Sequence, residues 1–206
     1  MANTCWNLFS FYGNEKVVEQ VKKWQEALDS AKPTEDDKYC MGAIRAVFYP
    51  DAKSGEEIYY GSKWVHQDKE ALGPDENQLG FQSAWSSPDE LQKHLTLLLH
   101  KLDKNVLVEN SYNIEASSFG FVYTAVNDKG QIITEIAHAD CEYDNFDDPM
   151  DADDDVQIRL DEWQLDTIHD LIIKLPAMGE VIKKHLPNLE IDWEHIDECK
   201  RSLSST

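Results

Sequence analysis

"LGFQSAWSSPDELQKHLTLLLHKLD", residues 79–103, contains the change of period that decides the fold. Its first part, Leu79 to Ser87, is short and aromatic-rich and reads as a strand. From Ser87 the period becomes helical. Ser87 can cap, Pro88 suits the first helical position, and Glu90 follows Ser87 at capping-box spacing. Leu91, Leu95, Leu98 and Leu102 then line one face, so the spacing predicts a helix over Pro88–Leu102. A strand running straight into a capped helix is one β–α unit.

The flanking sequence extends that unit in both directions. Upstream, "CWNLFSFYG" (Cys5–Gly13) reads as a buried strand. The recurrence of Val17, Val21, Trp24 and Leu28 predicts a helix over Glu15–Asp29, with Asn14 as its N-cap. "MGAIRAVFYP" fits a short strand or a helical turn equally. "EIYYGSKWVH" (Glu57–His66) reads as a strand by its aromatic and β-branched content. Downstream, "NVLVENSYNIEA" reads as a further strand. "FGFVYTAV" and "QIITEIAHA", joined by "NDKG", read as a hairpin. Leu160, Trp163, Ile168, Leu171, Ile172 and Leu175 mark a third helix, and "IDWEHIDECKRSL" a last short one.

The resulting order predicts an α+β protein. A ferredoxin-like βαββαβ antiparallel sheet carries its helices on one face, with an added hairpin and C-terminal helices. The expected organisation is an α+β domain over residues 1–138, an acidic loop over 139–158, and a helical extension over 159–206 packed on the same domain.

Charge is the strongest compositional feature. There are 40 acidic residues against 19 basic ones, a net charge of −21. Direct contact with nucleic-acid phosphates or an anionic membrane surface needs the opposite sign, so neither is expected. A basic protein partner is compatible with it. The charge is also concentrated: residues 139–166 hold 12 acids and one base, Arg159, a net of −11 in 28 residues. Tyr143, Asp147, Asp148, Asp151, Asp153, Asp154 and Asp155 form the expected binding surface for such a partner, with Phe146 as a second aromatic anchor. The alternative for this stretch is a solvated loop.

Asp151, Asp153 and Asp155 also fall at positions 1, 3 and 5 of an EF-hand frame, with Glu162 at position 12. Position 6, where glycine permits the sharp turn, is Val156, and position 9 is Arg159. A calcium-stabilised structural protein is therefore the second reading. A second candidate surface is Lys63, Trp64 and Trp85, on strands that are potential neighbours in the sheet. Aromatics on strands are usually core, so at least one of the two tryptophans is expected inside.

No cofactor, metal site or catalytic centre is expected. The four cysteines are far apart and form no CxxC pair. The seven histidines are scattered, and neither HExxH nor a Gly-rich phosphate loop occurs. An enzyme remains the third reading, because separated residues can converge in a fold. No apolar run approaches a membrane span, and the start lacks the pattern of a secretory leader, so a cytoplasmic location is expected.

Three stretches carry a family resemblance over the N-terminal two-thirds. "MANTCWNLFSFYGNEKVVEQV" resembles a Met-x-Asn-x-Cys-x-Asn strand leading to a helix. "YYGSKWV" resembles a Trp/Tyr-Gly-x-Lys-Trp strand, and "FQSAWSSPDEL" a Phe-x-Thr-Ala-Trp-x-Pro-Pro strand and helix start. Together they resemble the YubB-like proteins of bacterial plasmids, phages and genomic islands. This chain departs from that pattern at Val65, where an acid is usual, and at Ser87, where a proline is usual. The resemblance implies a ferredoxin-like domain and a mobile-element origin, and no activity. The combined expectation is a binding protein that engages a basic host protein, one that handles nucleic acid, as an inhibitor or mimic.

Overall fold

The structure, a computed structural model, describes residues 3–32, 41–53, 56–68, 75–115, 118–140 and 154–203, without the side chains of 139, 140, 154–160 and 203. In chain order the elements are β1 (Thr4–Tyr12), α1 (Glu15–Asp29), α2 (Met41–Phe48), β2 (Lys63–Gln67), β3 (Gln78–Ala84), α3 (Asp89–His100), β4 (Leu107–Ile114), β5 (Ser118–Val126), β6 (Ile132–Asp140), α4 (Asp154–Lys174), α5 (Met178–His185) and α6 (Trp193–Leu203). The strands form one open antiparallel sheet in the order β2-β3-β1-β4-β5-β6. The protein is α+β.

Local chemistry explains most elements. Asn14 Oδ1 accepts the Lys16 and Val17 amides at 2.9 and 3.3 Å, which caps α1 at the expected residue. Val17, Val21, Trp24 and Leu28 are its buried face. In the β5–β6 turn, Asn127 Oδ1 accepts the Lys129 and Gln131 amides at 3.0 and 2.9 Å, and Gly130 takes the positive φ of 76°. "MGAIRAVF" is helical, burying Ile44 and Phe48.

Helices cover both faces of the sheet, not one. Phe9, Phe11 and Val108 share a core with residues of α1, α2 and α3. Tyr12, Leu107, Tyr123 and Ala125 share a separate core with residues of α4, α5 and α6. Successive residues of a strand point to opposite faces, so Phe11 and Tyr12, like Val108 and Leu107, belong to different sides. A 3.6-residue period identifies which face of a helix is buried and leaves open which side of a sheet receives it.

Two other expectations need correction. Strand β2 begins at Lys63, not Glu57, because the preceding chain crosses the start of α3: the Tyr60 carbonyl accepts the Leu91 amide at 3.1 Å. Ser87 makes no capping bond, and α3 starts at Asp89. The Ser87 hydroxyl turns inward and accepts from Asn110 Nδ2 at 2.8 Å. The buried leucines of α3 are Leu91, Leu95 and Leu99, while Leu102 lies past the helix end and is exposed.

Gly120 shows how closely the strands meet. A Cβ there would lie 2.2 Å from the Ala137 carbonyl oxygen and 3.0 Å from the Tyr112 hydroxyl, which bonds His138 Nδ1 at 2.5 Å. Gly120→Ala is expected to destabilise the protein by about 3 kcal/mol, since neither neighbour can retreat without breaking ladder or side-chain bonds. Urea unfolding midpoints check this; an unchanged midpoint would show that β6 yields freely.

Candidate functional site

The three stretches quoted above for their family resemblance converge on one corner of the sheet. Thr4 of β1 pairs with Ala84 of β3, and Ala84 pairs with Lys63 of β2. The Trp85 amide extends the ladder by donating to the Asn3 carbonyl at 3.0 Å, and the Ser62 hydroxyl donates to the Ala84 carbonyl at 2.7 Å. The register of β2 shifts between Lys63 and His66, which marks a β-bulge around Trp64.

Trp64 has φ 52° and Trp85 has φ 65°. They are the two non-glycine residues with positive φ among the described residues. For a bulky side chain this left-handed conformation costs about 1–2 kcal/mol. The two rings lie 5.3 Å apart at 39°, and Lys63 Nζ sits 5.8 Å from the Trp85 ring centre. Trp64 is 57% exposed, Trp85 48% and Trp6 of β1 40%. The expectation that one of Trp64 and Trp85 is core is overturned. Trp85 follows the last residue of β3 and Trp64 sits at the register shift of β2, so neither occupies a regular core-facing strand position. Burial falls instead to Val65, which explains why an acid would not suit that position.

Beneath this corner lies a hydrogen-bonded polar cluster, in which the buried Asn110 Oδ1 is left without a partner among the described residues. Asn7 Nδ2 donates to the Cys5 carbonyl at 3.0 Å and to Ser83 Oγ at 3.1 Å, and Asn7 Oδ1 accepts from Asn110 at 3.1 Å. Asn7, Ser83, Ser87 and Asn110 are all buried. Burial pushes the Cys5 thiol up to about 11, which keeps it protonated and unreactive at neutral pH. These residues fix the strands that carry the tryptophans.

Tyr143, Asp147, Asp148, Asp151 and Asp153 lie outside the described residues, as does Phe146. Asp154 and Asp155 belong by backbone to the first turn of α4. Helix α4 is continuous from Asp154, so positions 4 to 12 of the EF-hand frame are helical and a twelve-residue calcium loop cannot wrap there. Among the described residues no three His, Cys, Asp or Glu side chains are grouped to hold a metal ion. No helix among them is long and apolar enough to cross a membrane.

A second unusual feature is Glu109 of β4, which faces the layer formed by α4, α5 and α6. It is buried, and its Oε2 has no partner among the described residues. Burial pushes its carboxyl up to about 7, opposed by a hydrogen bond with the Tyr123 hydroxyl. Neither Glu109 nor Trp6 is signalled by a motif. The available signals were an acid inside the apolar run "VLVENSY" and the alternation that places Trp6 opposite the buried Cys5 and Asn7.

Compared with family models, curated proteins and solved structures, the chain matches none.

Proposed function

We propose that this chain is a binding protein whose recognition surface is the Trp64–Trp85 pair and whose partner is a basic protein presenting arginine or lysine. The observation that carries this reading is the strained, exposed tryptophan pair, its rings in tilted contact. Left-handed backbone at a bulky residue persists only where the surroundings enforce it, and such strain gathers at functional positions. Exposed indole faces attract guanidinium and ammonium groups, and tryptophan and arginine lead the residues that dominate interface energy. A net charge of −21 selects a cationic partner over nucleic acid.

Within the same proposal, the first four strands form a ferredoxin-like unit. Their order β2-β3-β1-β4, with every neighbouring pair antiparallel, supports it. The mobile-element origin, the cytoplasmic setting and the role as inhibitor or mimic of a nucleic-acid-handling host protein belong to this proposal, on the resemblance of the three converging stretches. The acidic stretch supplies steering, and the tryptophans supply the anchor.

Steering and anchoring separate in an experiment. Reversing Asp147, Asp148, Asp151 and Asp153 to lysine is expected to weaken capture of basic proteins at low salt at least tenfold and to change little at high salt. Comparative capture from host lysate with wild type and this variant checks it. Equal capture at low salt would remove the acidic stretch from the proposal.

A further inference from the structure

We propose that Glu109 is a proton-operated latch: its protonated carboxyl holds the α4–α6 layer docked on the sheet, and its ionisation loosens that layer. The sheet register places Glu109 in a polar row that crosses five strands under the layer. Ser10 of β1 pairs with Gln78 of β3 and with Glu109, Glu109 pairs with Tyr123 of β5, and Tyr123 pairs with Glu135 of β6. Gln78 Nε2 donates to Ser10 Oγ at 3.1 Å. From α4, Gln164 Nε2 donates to the Tyr123 hydroxyl at 2.6 Å, and that hydroxyl is hydrogen-bonded to Glu109. One polar link between helix layer and sheet therefore runs Gln164–Tyr123–Glu109.

The surroundings disfavour a charge at Glu109. Leu107, Tyr123, Ala125, Ile168 and Leu171 form the apolar core around the row. Tyr123 faces Glu109 from β5, and Tyr12 approaches it from β1, with Asp75 acting on Tyr12 from the chain before β3. His185 of α5 packs on Tyr12, with Asp103 and Lys184 acting on it. The Lys174 ammonium of α4 is engaged by Glu135 at 2.7 Å and by Asp170 at 3.9 Å. An ionised Glu109 would place charge on a buried oxygen that lacks a partner, a cost that undocking relieves by admitting water. Loss of the proton to solvent is the whole chemical step.

The direction follows from linkage. Undocked, Glu109 titrates near its ordinary value of 4.5; docked, it titrates at about 7. Docking takes up a proton between these values, so the layer is held most firmly below 4.5. It weakens as pH rises to about 7 and is level beyond. A shift of this size corresponds to about 300-fold in the docking equilibrium.

The test follows the Glu109 carboxyl by NMR titration, together with hydrogen-exchange protection factors corrected for intrinsic rates at pH 5 and pH 8. In the wild type the carboxyl is expected to titrate near 7. Protection in α4–α6 should fall about 100-fold between the two pH values while β1 and β3 hold. In Glu109→Gln the protection of α4–α6 should be level. Titration near 4.5 would overturn the latch, as would an equal loss in Glu109→Gln or a uniform loss across sheet and helices. Should the variant fail to fold, the wild-type titration and its regional pattern decide alone.

Discussion

Gly61→Ala is expected to cost about 3 kcal/mol or more, and to lower the melting temperature by roughly 6–12 °C, because two penalties coincide at one position. Gly61 has φ 92°, a conformation that side chains rarely adopt. A Cβ would also lie 2.7 Å from the Asp89 amide nitrogen and 2.8 Å from that of Glu90. Both contacts are backbone at the first turn of α3, so neither can rotate away. Moving the chain outward would break the Tyr60–Leu91 bond that satisfies one of the helix's orphan amides. It would also displace Lys63 and Trp64, which follow directly. Thermal denaturation checks this, and a melting temperature unchanged in Gly61→Ala would show that the segment is not held against α3.

Replacing the exposed tryptophans should reverse the usual ranking of glycine and alanine. In a strand, glycine is ordinarily less stable than alanine by about 0.5–1 kcal/mol. At Trp64 and Trp85 the left-handed backbone adds about 1–2 kcal/mol for any side chain with a Cβ, a cost that glycine escapes. Either glycine variant also loses the tilted ring–ring contact, worth about 0.5–1.5 kcal/mol, which largely cancels the strain it relieves. Trp64→Gly and Trp85→Gly should therefore unfold close to wild type, while Trp64→Ala and Trp85→Ala should be less stable than their glycine counterparts by about 1 kcal/mol. Binding should move independently. Anchoring residues of this kind contribute about 2 kcal/mol or more, so each glycine variant should bind the partner about 30-fold more weakly. Alanine proving the more stable substitution would remove the strain on which the functional reading rests.

The parts of this fold legible in the sequence are those fixed by local chemistry. Asn14 and the spacing of Val17, Val21, Trp24 and Leu28 set α1, and "NDKG" sets the β5–β6 turn. What could not be read was decided at long range. The aromatic run Glu57–Tyr60 has strand composition, yet its backbone is spent on the start of α3. The capping-box pattern at Ser87 was sound in form, but Asn110 claims the hydroxyl. The period of α4 located its apolar face without showing that it would cover the opposite side of the sheet from α1–α3, and α5 carried no sequence reading at all. Lys63, Trp64 and Trp85 were visible as candidates by residue type. Their exposure was not, because it depends on a bulge and on two φ angles that tryptophan is among the least expected residues to adopt. Glu109 was hidden among 40 acids, and only the register that places it beside Tyr123 sets it apart.

The measurement that bears most directly on the recognition surface is an NMR titration of the wild type and the Trp64→Gly/Trp85→Gly double variant with an arginine-rich peptide, following the six indole N–H signals of the wild type. Selective shifts of the Trp64 and Trp85 signals, with binding lost in the double variant, are the predicted result. Equal affinity in both proteins, with the two indoles unmoved, would contradict it and assign the peptide to diffuse acidic surface.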